Sequence, residues 1–265
     1  MSKIKIGLIG AGNMGQAIIK GLAADNRYQV CICDKDLNQA EMVSRVYKVK
    51  KNKLEQLTSA ANIIIICVKP QAMEEVLDLM KNQLNSKQLI ISIAAGINTG
   101  YIEKVLGNKI PVVRVMPNMP GLISQGISAY CLGKYAKPLQ AKQVVNIFKT
   151  IGIIIKLKQP QMDAFTAVAG SGPGFIAYLT DALINAAIKA GFDKQTAKTL
   201  CLQTLKGTIN LIDQTKIEPR ELVEKVASKG GTTEAGLKVL KAKQTGAIIE
   251  HTIKAAAKRA KELSR

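Results

Sequence analysis

Short apolar runs alternate with amphipathic segments along the first half of the chain. The run 62–68 holds four consecutive isoleucines, which is typical of a parallel strand covered on both faces. Residues 13–24 place Met14, Ile18 and Leu22 on one face of a predicted helix. This alternation predicts an α/β fold built on a doubly wound, mostly parallel sheet. The predicted strands are 3–9, 28–33, 62–68, 89–94, 112–116, 129–131 and 152–157, and the predicted helices are 13–24, 37–46, 71–82 and 138–150.

The pattern changes after residue 158, where strand-like runs give way to helical periodicity. Residues 162–191 are apolar on nearly all sides, and such a helix is buried in a core or between subunits. We therefore expect two domains, 1–158 with the sheet and 159–265 with helices only, and the small Ala and Gly faces of the second half predict dimerisation. The further helical spans are 194–214, 219–228 and 234–264.

The chain is strongly basic, with 38 Lys and Arg against 19 Asp and Glu and a net charge of +19. Its lysines are scattered, aromatic residues make up 4% and Trp is absent, so the basic and aromatic alternation of a nucleic-acid surface is missing. We expect no nucleic-acid partner, and we interpret the run 48–53 as a solvated face. A positive field also attracts anionic small molecules.

Neither a membrane span nor a secretory signal is expected. The longest apolar candidate, 164–180, contains the helix-breaking sequence Gly-Ser-Gly-Pro-Gly. Gly7, Gly10 and Gly12 interrupt the N-terminal apolar run, unlike the core of a signal peptide. These features predict a cytoplasmic protein.

The cysteines lack the spacing of a metal site, and the only histidine is His251. Reduced cysteines that serve as small apolar residues fit a cytoplasmic protein. We therefore expect no metal. The five cysteines are Cys31, Cys33, Cys67, Cys131 and Cys201.

The sequence Gly-Ala-Gly-Asn-Met-Gly at 10–15 follows the first predicted strand and opens the first predicted helix. This is the dinucleotide-binding fingerprint in its required context. Gly10 allows the tight turn, Gly12 lets a pyrophosphate approach the backbone, and Gly15 allows close packing of the helix. Residues 1–158 are thus predicted to be a dinucleotide-binding Rossmann domain. The expected cofactor contacts are Gly10, Ala11, Gly12, Asn13, Met14 and Gly15.

Asp34 follows the second predicted strand. An acidic side chain at this point accepts hydrogen bonds from the adenosine ribose and favours NAD over a 2′-phosphorylated cofactor. The neighbouring Lys35 favours the opposite choice. A role for Asp34 as a helix N-cap or turn residue is also open. We expect cofactor contacts from Asp34 and Lys35, with NADH and NADPH as alternatives.

Three further motifs lie where predicted strands of the same sheet end, at 67–70, 92–96 and 114–120. Ligands of doubly wound sheets bind outside the carboxyl ends of the strands, and the small residues at 94–95 leave room for a nicotinamide. Two prolines fix the loop around Asn118. Turn chemistry alone is the alternative for each motif taken singly. The expected cofactor contacts are Val68, Lys69, Pro70, Ala94, Ala95 and Asn118.

A second glycine turn, 228–233, reads Ser-Lys-Gly-Gly-Thr-Thr and lies between two predicted helical spans. Glycines bring bare N–H groups close to a ligand, and a helix that starts at such a turn favours an anion. We expect an anionic substrate here. The expected substrate contacts are Ser228, Gly230, Gly231, Thr232 and Thr233.

The chain resembles the pyrroline-5-carboxylate reductases over nearly its whole length. The resemblance is carried by residues 9–14, 68–70, 92–96, 114–118, 170–174 and 228–233, and the last of these motifs is the most specific. It implies a Rossmann domain followed by a helical dimerisation domain, in dimers that commonly assemble into decamers. It implies reduction of the cyclic imine 1-pyrroline-5-carboxylate to L-proline with NADPH or NADH, the last step of proline biosynthesis. It also implies that Thr233 lies near the imine nitrogen as the catalytic residue.

Two positions depart from the family pattern. Lys229 stands where the family usually has a proline or a similar residue, which loosens the turn or adds a cation near the substrate carboxylate. The pair Asp34-Lys35 replaces a hydroxyl- or Arg-bearing turn suited to a 2′-phosphate. The resemblance therefore leaves the choice of cofactor open.

Other enzyme and binding classes combine similar domains. A β-hydroxyacid dehydrogenase needs a catalytic lysine early in the helical domain, and residues 170–185 contain none. An F420-dependent or imine reductase stays an alternative. A non-catalytic NAD-sensing module is disfavoured because a sensor needs no second anion-binding turn.

Overall fold

The computed structural model describes residues 3–107 and 109–264 of the chain. Within them, one eight-stranded sheet has the order β3-β2-β1-β4-β5-β6-β7-β8. All neighbouring strands are parallel except β6 and β7, which pair antiparallel. This arrangement confirms the predicted doubly wound α/β fold. The strands are β1 Ile4–Ile9, β2 Tyr28–Cys33, β3 Lys50–Lys51, β4 Ile63–Ile66, β5 Leu89–Ser92, β6 Val112–Met116, β7 Gly126–Leu132 and β8 Gly152–Lys156.

Helices follow most strands, and every regular element described after β8 is helical. The segment Thr166–Gly170 forms a single π-helical turn between two of them. The helices are α1 Asn13–Ala23, α2 Leu37–Tyr47, α3 Leu54–Ala60, α4 Met73–Met80, α5 Thr99–Leu106, α6 Pro138–Phe148, α7 Met162–Phe165, α8 Gly172–Lys189, α9 Lys194–Thr215, α10 Pro219–Val226, α11 Thr232–Ala242 and α12 Thr245–Glu262.

The sheet has a hydrophobic core on each face. All four isoleucines of β4 are buried, and successive residues belong to opposite cores because strand side chains alternate. Ile63 and Ile65 pack in the core that includes side chains of α1 and α6, whereas Ile64 and Ile66 pack in the core beneath α4 and α5. The prediction of a strand covered on both sides is confirmed.

Several sequence predictions of secondary structure were incomplete. The Lys-rich run was interpreted only as a solvated face, yet Lys50–Lys51 also pairs with β2 as an edge strand while both residues stay exposed. Helices α3 and α5 were not predicted. The span 234–264 was predicted as one helix but is divided into α11 and α12, because Gln244 adopts a left-handed conformation with φ of 53°.

The chain forms two compact units, which are described separately. The first comprises the residues up to Pro173 together with the end of the chain from Ala256, and the second comprises Gly174–Ala255. The predicted domains 1–158 and 159–265 stay a prediction.

Helix α8 has an apolar surface that its own chain does not bury. Four of its large side chains are well exposed: Ile176 at 60%, Tyr178 at 76%, Leu179 at 41% and Leu183 at 49%. The predicted alternative that this helix is buried in the core of a single chain is therefore wrong. Burial between subunits remains the expectation. Among the described residues, the stretch Gln159–Lys189 is the one candidate that is long and apolar enough to cross a membrane, and it is mostly exposed. The π-helical turn lies inside this stretch.

Candidate active site

The glycine-rich turn joins β1 to α1 at the carboxyl edge of the sheet. Gly10 has φ of 100°, and a Cβ there would lie 2.8 Å from the Cys67 carbonyl oxygen. A Cβ on Gly15 would lie 2.4 Å from the Gly10 carbonyl oxygen, so α1 begins directly against the turn. Both glycines are therefore required by the protein's own packing.

Gly12 differs because the space beside it is open. A Cβ on Gly12 would meet no protein atom within 4 Å among the described residues. Gly12 is the N-cap of α1, and as a glycine it has no side chain that could cap that helix end. The first-turn N–H groups, which include those of Asn13 and Met14, thus face a position where an anion binds well.

Asp34 ties the glycine-rich turn to the end of β2. Its Oδ2 accepts a hydrogen bond of 2.6 Å from the Ala11 N–H, and its Oδ1 accepts one of 2.9 Å from the Asp36 N–H. The N-cap of α2 is Asp36, which accepts from the N–H groups of Asn38 and Gln39. Of the two structural roles considered for Asp34, the turn role is present and the N-cap role belongs to Asp36.

The other predicted cofactor residues lie in turns after β4, β5 and β6. Val68 is half-buried, while Lys69 is exposed and precedes a short helical turn that starts at Pro70. Ala94 is buried, and its N–H donates to the Ser92 hydroxyl over 3.3 Å. These residues follow neighbouring parallel strands, so they share one edge of the sheet.

The Asn118 side chain is occupied by bonds within the protein. Its Nδ2 donates to the Ala169 carbonyl at 3.0 Å, and its Oδ1 accepts from the Ile127 N–H at 2.9 Å. The amide thereby joins the end of β6 to the π-helical turn. A cofactor contact of Asn118 stays a prediction.

Arg114 was predicted only as the first residue of the motif 114–118, and no role was predicted for Asp163. Arg114 is 1% exposed and its Nη2 lies 3.3 Å from Asp163 Oδ1. The available signal was a lone arginine within the apolar strand β6. A buried guanidinium needs a partner, but that partner is 49 residues further along the chain.

In the second unit, the turn 228–233 opens helix α11 as predicted. Gly230 is left-handed with φ of 73°, and a Cβ on Gly231 would lie 2.4 Å from the Ser228 hydroxyl oxygen. The Gly230 N–H donates to Glu234 Oε2 at 2.7 Å, and the Gly231 N–H donates to the Ser228 carbonyl at 3.0 Å. Two of the predicted donors are thus paired internally.

The free donors lie one step later, in the first turn of α11. The first backbone bond of the helix runs from the Ala235 N–H to the Gly231 carbonyl over 3.2 Å. The N–H groups of Thr232 and Thr233 precede it, and they have no hydrogen-bond acceptor among the described residues. Thr233 is half-buried, whereas Lys229 is exposed.

The cysteines are free thiols in the structure. Burial raises the pKa of the Cys67 thiol, and burial also raises the pKa of Cys131 to about 11, although nearby Arg114 opposes the shift. Both groups are therefore protonated near neutral pH. Within residues 3–107 and 109–264, no group of three His, Cys, Asp or Glu side chains is arranged to hold a metal ion.

Each of the two glycine turns lies in a region that matches a family model. Residues 5–96 match the family model described as NADP oxidoreductase, coenzyme F420-dependent, and residues 159–263 match the model described as pyrroline-5-carboxylate reductase dimerisation. A pyrroline-5-carboxylate reductase of Pseudomonas aeruginosa is 36% identical, over 100% of this chain and 98% of that protein. The chain belongs to the pyrroline-5-carboxylate reductase family.

Solved structures of this family have the same fold. A pyrroline-5-carboxylate reductase from Coxiella burnetii aligns over 100% of both chains with a TM-score of 0.91 and 31% identity. The Plasmodium falciparum pyrroline carboxylate reductase, solved with NADP bound, aligns over 100% of both chains with a TM-score of 0.88 and 31% identity. The match to the coenzyme F420-dependent model is confined to the half that contains the glycine-rich turn.

Proposed function

We propose that the protein reduces 1-pyrroline-5-carboxylate to L-proline with NADPH or NADH, as the last step of proline biosynthesis. The observation that carries the proposal is the glycine turn 228–233 at the start of α11, in a chain that belongs to the reductase family over its full length. A dinucleotide turn alone would leave the substrate open. The second turn supplies the donors and hydroxyl groups that a carboxylated imine requires.

The first unit, which contains the sheet and is called the Rossmann unit from here on, fits a nicotinamide dinucleotide. The open space beside Gly12 and the uncapped start of α1 suit a pyrophosphate. When bound, the nicotinamide supplies a hydride. The turns at Val68–Pro70 and Ala94–Ala95 are proposed to contact the cofactor at the carboxyl edge of the sheet.

The second unit, Gly174–Ala255, is proposed to hold the substrate by the substrate's carboxylate. The N–H groups of Thr232 and Thr233 are the available donors, because those of Gly230 and Gly231 are engaged inside the turn. The Ser228 hydroxyl can add a further hydrogen bond to the anion. Donors fixed in this way bind without reorganisation during the reaction.

Thr233 is proposed as the catalytic residue. A threonine hydroxyl is a weak acid, so its role is to orient the imine nitrogen or relay a proton to it. A pyrroline nitrogen is basic enough to arrive protonated, which removes the need for a strong general acid. Most of the rate enhancement then comes from proximity and orientation.

We further propose that the enzyme is a homodimer that assembles into decamers and works in the cytoplasm. The exposed apolar face of α8 and the match of residues 159–263 to a dimerisation model support self-association. The free thiols fit a reducing compartment. Analytical ultracentrifugation measures the assembly directly, and a stable monomer at working concentration would contradict it.

The deciding experiment measures oxidation of NADH and of NADPH with and without 1-pyrroline-5-carboxylate. We expect oxidation that depends on the imine, with one L-proline formed for each cofactor consumed. Reduced coenzyme F420 as the alternative donor tests the F420-dependent class. Absence of imine-dependent oxidation in folded protein would overturn the proposed reaction.

A further inference from the structure

The end of the chain lies against the sheet edge that is proposed to bind the nicotinamide. Gly96 follows the turn at Ala94–Ala95 and has φ of 75°; a Cβ there would lie 2.5 Å from the Leu263 carbonyl oxygen. Both segments belong to the first unit. The backbone of Leu263 therefore packs directly against this turn, with no room for a side chain between them.

Ser264 fixes that contact through a carboxylate. Its Oγ lies 2.9 Å from Asp163 Oδ1 and 3.0 Å from the Ala260 carbonyl oxygen. A hydroxyl carries one proton, so it donates to one acceptor at a time, and a charged carboxylate is the stronger acceptor. The Ser264 hydroxyl thus joins the last residues of the described chain to the start of α7.

The same Asp163 oxygen pairs with Arg114. The guanidinium is buried and permanently charged, so the carboxylate also balances a cation inside the sheet. Arg114 lies opposite Ser92 in the register of β5 and β6, and the Ser92 hydroxyl accepts from the Ala94 N–H. Side-chain bonds thus join Ser264, Asp163 and Arg114, and the backbone of Arg114 lies on the strand that pairs with β5, which leads into the Ala94–Gly96 turn.

We propose that Ser264 and Asp163, with Arg114, are positioning residues that hold the turn Ala94–Gly96 where the nicotinamide binds. The inference rests on the proposed function, since it assigns this turn to the cofactor. Their role is one of position, because the bonds that the three side chains form are to one another and to the protein backbone. They act by holding Leu263 against Gly96, so their loss weakens cofactor binding and leaves the carboxylate turn 228–233 unaltered.

The test compares Ser264→Ala with Ser59→Ala. Ser59 is a matched control because its hydroxyl also donates to the carbonyl oxygen four residues earlier, at 2.9 Å, and bonds to no carboxylate of the described residues. For Ser264→Ala we expect the Kd of NADPH and NADH, measured by fluorescence titration without imine, to rise about tenfold, on the scale of displaced positioning groups. The KM for 1-pyrroline-5-carboxylate should stay unchanged, and Ser59→Ala should match the parent protein.

A second variant, Gly96→Ala, extends the test. Gly96→Ala should push Leu263 away and reproduce the loss of cofactor affinity, and the double variant Gly96→Ala/Ser264→Ala should lose little more, because both changes break one contact. Unchanged cofactor Kd in folded Ser264→Ala, or equal rises of both KM values together with a lowered Tm, would overturn the proposal. Cofactor binding is measured without substrate, so this result is independent of whether the proposed reaction occurs.

Discussion

The backbone N–H of Gly230 donates to the carboxylate of Glu234 over 2.7 Å, so the proposed substrate turn already holds a carboxylate of its own chain. Glu234 also pairs with Lys238, one helical turn further along α11. The bond fixes the left-handed Gly230 and thereby shapes the turn. It also places a negative charge at the helix end where the substrate carboxylate is proposed to bind.

Replacing this charge should improve substrate binding. In Glu234→Gln the side-chain carbonyl still accepts from Gly230, while repulsion of the substrate carboxylate is lost. We expect the KM for 1-pyrroline-5-carboxylate to fall by about threefold at low salt, and less at high salt because ions screen exposed charges. Glu250→Gln is the control, since Glu250 forms the same kind of i,i+4 pair with Lys254 in α12. A KM that rises in Glu234→Gln would contradict the placement of the carboxylate.

Loss of the Thr233 hydroxyl should slow turnover. For Thr233→Ala we expect kcat to fall by roughly tenfold to a hundredfold, the scale of one positioned polar or acid–base group. Thr245→Ala is a suitable control because Thr245, like Thr233, lies in the first turn of a helix in the second unit, and its hydroxyl donates to the Leu240 carbonyl. Steady-state kinetics on both folded variants make the comparison. Parent-like kinetics for Thr233→Ala would remove Thr233 from the mechanism.

Local patterns were enough to predict most of the sheet but not its edges. Strands β2 and β6 were predicted at their observed bounds because each is a compact apolar run. Strand β3 was missed because it consists of two exposed lysines, and only its pairing with β2 makes it a strand. Helix α5 was missed although Asn98 caps its start and Gly107 ends it, since a helix of eight residues is too short to show a clear period.

The candidate site was likewise predicted only in part. The two glycine turns are visible in the sequence because each needs particular residues at fixed spacing. The Arg114–Asp163 pair depends on two segments that meet only after folding, and no local pattern connects them. Likewise, sequence showed Gly230 and Gly231 as N–H donors but not that Glu234 and Ser228 occupy them.

The glycine-rich turn offers a matched pair of substitutions. Gly12→Ala adds a methyl group to open space, so the free energy of unfolding should change by no more than about 1 kcal/mol, while cofactor Kd rises about tenfold or more because the methyl group blocks the pyrophosphate. Gly10→Ala should cost about 1–3 kcal/mol of stability, since it forces alanine into a left-handed conformation. Denaturant unfolding and cofactor titration separate the two effects. Equal cofactor affinity in Gly12→Ala and the parent would exclude the proposed pyrophosphate position.

Asp34 should disfavour the 2′-phosphate of NADPH. In Asp34→Ser we expect the ratio of kcat/KM for NADPH to that for NADH to rise about tenfold, because a charge beside the ribose is removed. Stability should also fall, since the Ala11 N–H loses its carboxylate acceptor. Asp36→Asn is the control for charge: Asp36 caps α2 and does not contact the glycine-rich turn through its carboxylate. An unchanged cofactor ratio in Asp34→Ser would leave Asp34 with its turn role only.

The apolar face of α8 should carry the subunit interface. Ile176, Leu179 and Leu183 recur at helical spacing and are 60%, 41% and 49% exposed, a stripe that costs free energy in water unless a partner covers it. Leu183→Glu places a charge in the stripe, so sedimentation velocity should show monomers where the parent protein forms larger species. Leu139→Glu is the matched control, because Leu139 is 64% exposed on α6 of the other unit. If Leu183→Glu sediments like the parent while Leu139→Glu dissociates, the interface lies on the Rossmann unit instead.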